Sequence, residues 1–183
     1  MFEQLLARLA LKLDSAEIPY MIIGGQAVLL YGEPRLTKDI DVTLGATLER
    51  LAEVLTLVGE MELVPLVDPE VFTRETMVLP CQDPATEIRV DLIFSFSTYE
   101  QHALERARPV ELGGASVRFA SLEDVIIHKV IAGRPRDIED VKSILVKNPQ
   151  VDAGYIRKWL NDFVASLEEP FIDVFERALA DSQ

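Results

Sequence analysis

Apolar residues recur at Phe2, Leu5, Leu6, Leu9 and Leu13, the spacing of one helical face, and predict a helix over 2–16 that Pro19 limits. The short apolar run "YMIIGG" reads as a buried strand, and "GQAVLLYG" as a short helix that starts at the glycines and closes at Gly32. In "KDIDVTLG", Ile40, Val42 and Leu44 alternate with Asp39, Asp41 and Thr43, which is the period of a strand. "TLERLAEVLTLVG" predicts a helix capped by Thr47 and ended at Gly59. Strands are expected at 61–66, 71–79 and 87–95; in the last, Ile88, Val90, Leu92 and Phe94 share one face, and Arg89, Asp91 and Ile93 the other. A helix is expected at 98–107 and a hairpin around Gly113–Gly114. Four helices follow, at 121–132, 136–146, 153–166 and 168–180, the first opened by "SLED", a capping box with Asp in place of Glu or Gln. Trp159 and Phe163, four apart, are expected in the core. The pattern predicts a mixed α/β (α+β) core over 1–120 and a mostly helical region, 121–183, packed on it.

Composition narrows the function classes. With 183 residues, 49% hydrophobic and 27% charged, the chain is an ordinary folded protein of one domain, or one with a helical appendage. No apolar run reaches the roughly 18 residues of a membrane span, and the N-terminus lacks the features of a signal peptide. The single cysteine, Cys81, fits a reducing cytoplasm and reads as an inert thiol. A formal charge of −13 repels nucleic-acid backbones, so bulk nucleic acid is not an expected partner, whereas a small polyphosphate or an RNA end is admissible. Two histidines, His102 and His128, and one cysteine make no zinc-ligand set, and the sequence has no P-loop and no Ser-His-Asp arrangement.

The charged positions inside strands carry the chemistry. Asp39 and Asp41 leave the same strand face, about 7 Å apart, a spacing that suits a divalent cation clasped between them. Asp91 sits in a later strand between Val90 and Leu92; if the two strands are neighbours, three carboxylates converge and can hold one or two Mg²⁺ or Mn²⁺ ions that orient a triphosphate. Gly24 and Gly25, between a strand and a helix, expose backbone N–H groups where an anion is favoured.

"GGQAVLLYGEPRLTKDIDV" with the later "RVDLI" resembles the nucleotidyltransferase superfamily related to DNA polymerase beta, over residues 20–95. The resemblance implies phosphate binding at Gly24 and Gly25, and metal binding and catalysis at Asp39, Asp41 and Asp91. Gln26 offers an amide where the family commonly has a phosphate-binding serine. "YGEPRLTKDID" resembles minimal bacterial members and offers Arg35 and Lys38 to phosphate, one as a planar guanidinium and one as a point charge. "SLEDVIIHKVIAGRPRDIEDVKSIL" is similar to a stretch of the abortive-infection toxin nucleotidyltransferases; that likeness implies Lys129 at the nucleotide's phosphates and Asp137 as a polar or base-like group. Arg136, Asp137 and Asp140 read equally as residues of a helix's first turn.

The expected activity is a Mg²⁺-dependent transfer of NMP from an NTP to a hydroxyl on a small molecule, an RNA end or a protein. The alternative is a weak or inactive nucleotide-binding module, such as half of a toxin–antitoxin pair. A partner protein or a homodimer is compatible with either.

Overall fold

The computed structural model describes residues 1–182. Helix α1 (Phe2–Ser15) forms on the predicted apolar face and buries Leu5, Leu6, Leu9 and Leu13. Strand β1 (Tyr20–Ile23), helix α2 (Gly24–Tyr31) and strand β2 (Asp39–Leu44) follow at the expected places. Thr47 stands before a short 3-10 turn but makes no side-chain cap bond, contrary to expectation, and α3 (Leu51–Glu60) follows that turn.

The chain departs from the predicted pattern over 61–79. The expected strand at 61–66 shrinks to β3 (Val64–Pro65), and most of 71–79 is helix α4 (Pro69–Thr76) rather than strand. The cause is local chemistry: Asp68 accepts hydrogen bonds from the backbone N–H groups of Glu70 and Val71, and Pro69 occupies the first helical turn, where its missing N–H costs nothing. Strand β4 (Val78–Gln82) begins once Met77, in the left-handed conformation, ends that helix. Then come β5 (Arg89–Phe94), α5 (Thr98–Glu105) with a full capping box at Ser97 and Glu100, and the hairpin β6 (Arg108–Leu112) and β7 (Ala115–Phe119).

All seven strands form one mixed sheet of order β3-β4-β5-β2-β1-β7-β6, in which β2–β5 and β1–β7 are parallel and the other pairs antiparallel. Ile40, Val42, Leu44, Val90, Leu92 and Phe94 are fully buried, so the apolar side of β2 and β5 is core and their acidic side is the other face.

The C-terminal helices are α6 (Leu122–Ala132), α7 (Pro135–Lys147), α8 (Ala153–Leu167) and α9 (Phe171–Asp181). Ser121 caps α6 by accepting from the Asp124 N–H, and its hydroxyl donates to the Asp124 carboxylate. Helix α6 packs against α7, α8 and α9. The face of α8 that enters the core is Ile156 and Leu160; Trp159 and Phe163 are half-buried, against the expectation that they are core.

The chain divides into two compact units: Met1–Gln26 with Thr37–Ala120, and Ala27–Leu36 with the residues from Ser121 onward. The sheet lies in the first. In the second, Asn148 Nδ2 donates to the Tyr31 carbonyl at 2.8 Å and Lys147 Nζ to the Gly32 carbonyl at 3.0 Å, which ties residues 31 and 32 to the end of α7. No helix among the described residues is long and apolar enough to cross a membrane.

Candidate active site

The parallel pairing of β2 with β5 sets Asp41 opposite Asp91 and Asp39 opposite Arg89. Directly paired residues of neighbouring strands share a face, so these four side chains form a two-by-two array of three carboxylates and one guanidinium. All three aspartates are half-buried. Thr37 Oγ1 donates to Asp39 Oδ1 at 3.1 Å, and Arg89 Nε donates to Asp91 Oδ1 at 2.8 Å. The Asp91 bond, with the charges of Asp39 and Asp41 behind it, holds the Arg89 guanidinium above its usual range. Arg89 is a fourth member of this array beyond the three predicted acids, and its signal in the sequence is the R-x-D spacing on one strand face.

On the other side of Asp41 lies β1, where Ile23 is its register partner, and Gly24 follows at once. Gly24 has φ +62°, and a Cβ there would fall on the Asp41 carboxylate, with Cγ 2.9 Å away. The residue is therefore glycine for two reasons, the backbone conformation and the approach of Asp41. Gly24→Ala is expected to lower stability by about 1–3 kcal/mol and to displace Asp41. A melting temperature equal to that of the wild type would contradict that close approach. Gly25 and Gln26 continue the first turn of α2 and are buried, while Lys38 is exposed just before β2.

Cys81, on β4 beside β5, tests the burial behind the array. Desolvation, and then the charge of Asp91, push its thiol up to about 12. The native protein should therefore resist alkylation at about pH 8.5, where a free cysteine is half ionised, and should react only after denaturation. Because the unfolded thiol ionises first, this group removes stability as pH rises from about 8.5 towards 12. Labelling of native protein at the rate of a free thiol, read by mass spectrometry, would contradict this.

The remaining predicted residues lie in the second unit. Lys129, in the last turn of α6, is 8% exposed; its Nζ meets Asp137 Oδ1 at 2.6 Å and Asp140 Oδ2 at 3.0 Å. Arg35 grips the same Asp140 with Nε to Oδ1 at 2.7 Å and Nη2 to Oδ2 at 2.9 Å. The fork-to-fork geometry is the strong form of a charge-assisted hydrogen bond. Asp137 and Asp140 sit three apart on one face of α7, so two acids and two cations balance in a buried network. Asp140, read from sequence as a first-turn acid, is its centre. The second oxygen of Asp137 is buried without a hydrogen-bond partner, with Arg134 Nε 3.7 Å away.

Among the described residues, no group of three or more His, Cys, Asp or Glu is gathered tightly enough to hold a metal ion. The array nevertheless fits Mg²⁺ by donor chemistry. It offers hard oxygen ligands, and Mg²⁺ takes one or two carboxylates and fills its other positions with water and substrate phosphate.

The solution structure of the antibiotic-resistance factor ANT(2'')-Ia is similar to this chain with a TM-score of 0.64, over 91% of this chain and 95% of that one, at 17% identity. Lincomycin-bound LnuA, a lincosamide antibiotic adenylyltransferase, gives a TM-score of 0.54 over 79% of this chain and 96% of that one, at 16% identity. A nucleotidyltransferase-like structure from Thermotoga maritima gives 0.55 over 88% and 93%, at 18% identity. At these identities the likeness is one of fold, and it bears out the expected α/β nucleotidyltransferase architecture. No curated protein matches the chain. The sequence pattern of the family described as "Nucleotidyltransferase of unknown function (DUF6036)" matches residues 1–176, so the chain belongs to that nucleotidyltransferase family.

Proposed function

We propose that the protein moves an NMP unit from an NTP to a hydroxyl of a small-molecule acceptor, with Mg²⁺ or Mn²⁺ bound at Asp39, Asp41 and Asp91. The observation that carries this reading is the register of β2 on β5, which sets Asp41 beside Asp91 and Asp39 next to them. Backbone N–H groups at Gly24, Gly25 and Gln26 receive phosphate oxygens at the start of α2, and the absent Cβ of Gly24 leaves room for Asp41. Lys38, exposed before β2, adds a point charge for phosphate. A cation held by Asp39, Asp41 and Asp91 would supply charge neutralisation at the phosphates and would lower the pKa of the attacking hydroxyl.

Asp91 accepts the proton of that hydroxyl. The acceptor oxygen bonds to the α-phosphorus as the bond to pyrophosphate breaks. Lys129 and Arg35 serve phosphate, and Asp137 serves as a polar or base-like group, as the resemblance implies; each draws on the balanced network described above.

The acceptor is proposed to be small and neutral or cationic. A charge of −13 disfavours long nucleic acid, and the fold neighbour LnuA is a lincosamide adenylyltransferase. A second reading, a nucleotide-binding module without turnover, draws on the Arg89–Asp91 ion pair and on Gln26. Each α-labelled NTP, incubated with Mg²⁺ and separate pools of small metabolites, RNA and protein, decides between them. Label in the small-molecule pool supports the proposal, and label in RNA or protein overturns the acceptor class. A melting temperature raised by NTP and metal without transfer to any pool favours the module.

A further inference from the structure

Three carboxylates and one guanidinium share the β2–β5 face, and the guanidinium is already bonded to a carboxylate the cation needs. Arg89 reaches Asp91 Oδ1 through Nε at 2.8 Å; the Asp91 side chain is 15% exposed and that of Arg89 52% exposed. An arginine stays charged at any working pH, so it competes for the Asp91 carboxylate throughout that range. The outer partner is the one free to swing away, because both residues are anchored on β5 but the longer Arg89 side chain is the more exposed.

We propose that Arg89 is a displaceable counter-ion of the metal site. In the nucleotide-free protein it occupies Asp91 and competes with the divalent cation for that carboxylate. Incoming triphosphate offers the guanidinium oxygens that it can pair in bidentate fashion, and Asp91 is released to the cation. Cation and NTP then bind cooperatively, each tightening the other by the same factor. Arg89 is thus a positioning residue that acts through Asp91. The inference rests on the reading of Asp39, Asp41 and Asp91 as the cation's holders.

Mn²⁺ binding to the full chain, read by electron paramagnetic resonance with and without a non-hydrolysable ATP analogue, tests it. R89M should bind Mn²⁺ about two- to five-fold tighter than wild type without nucleotide, the range that an exposed ion pair is worth. The analogue should tighten Mn²⁺ binding more in wild type than in R89M, and R89K should lie between the two. R89Q replaces R89M should the latter not fold. An arginine that merely held Asp91 in place would give the opposite sign, weaker Mn²⁺ binding on its loss. Weaker or unchanged binding by R89M, with wild type still binding Mn²⁺, overturns this inference alone. No Mn²⁺ binding by wild type, with or without the analogue, overturns the metal reading together with it.

Discussion

Asp41→Asn is expected to cut nucleotidyl transfer by at least about 10²–10³, the cost of weakening the hold on a cation that would neutralise the reacting phosphate. Asp41 is the best placed of the three acids to show this. Its strand position is fixed on both sides, by Ile23 of β1 and Asp91 of β5. Gly24 lies against its carboxylate, so the isosteric amide fits without a new clash. Loss of activity then reports loss of charge rather than loss of shape. The metal-free variant should still melt cooperatively as a folded protein, because the amide keeps the shape of the carboxylate. A variant that loses activity only because it unfolds would show both changes together, and thermal melts recorded beside labelled-NMP transfer separate the two.

Lys129→Met is expected to be the costliest stability change, about 3–5 kcal/mol. The methionine keeps the volume of the lysine stem, so the loss is one of charge. Asp137 and Asp140, 6% and 5% exposed, are left facing each other with one buried cation fewer. K129M/D137N should cost less than K129M alone, since Asp140 keeps its two-bond grip on Arg35 and no unpaired carboxylate remains at Asp137. Urea midpoints for the wild type, the two single variants and the double variant give the coupling. Additive losses would mean that Lys129 and Asp137 do not depend on each other.

What the sequence disclosed followed the range of its signals. Period-two alternation placed Asp39 and Asp41 on one strand face, and the Gly24–Gly25 break placed a helix start beside them, because both signals act within a few residues. The apolar neighbours of Lys129 showed that its ammonium must be paired. Its partner Asp137 is eight residues away across one helix break, but Arg35 finds Asp140 at a separation of 105 residues, and no local pattern announces such a pairing. The strand expected over 71–79 failed because Asp68–Pro69, a helix start, outweighed apolar spacing. Arg89 was visible on the acidic face, yet its bond to Asp91 depends on side-chain geometry within one strand. Trp159 and Phe163 were misplaced because α8 turns Ile156 and Leu160, one position away on the helix wheel, into the core.

The central claim is that the carboxylate face of β2 and β5 drives NMP transfer. Its most direct measurement follows an α-labelled NTP and released pyrophosphate together, in wild type and in D39N/D41N, with Mg²⁺ and the small-molecule pool. The account predicts one pyrophosphate released per label transferred by wild type, and neither product from the folded double variant. Equal transfer by D39N/D41N would contradict it.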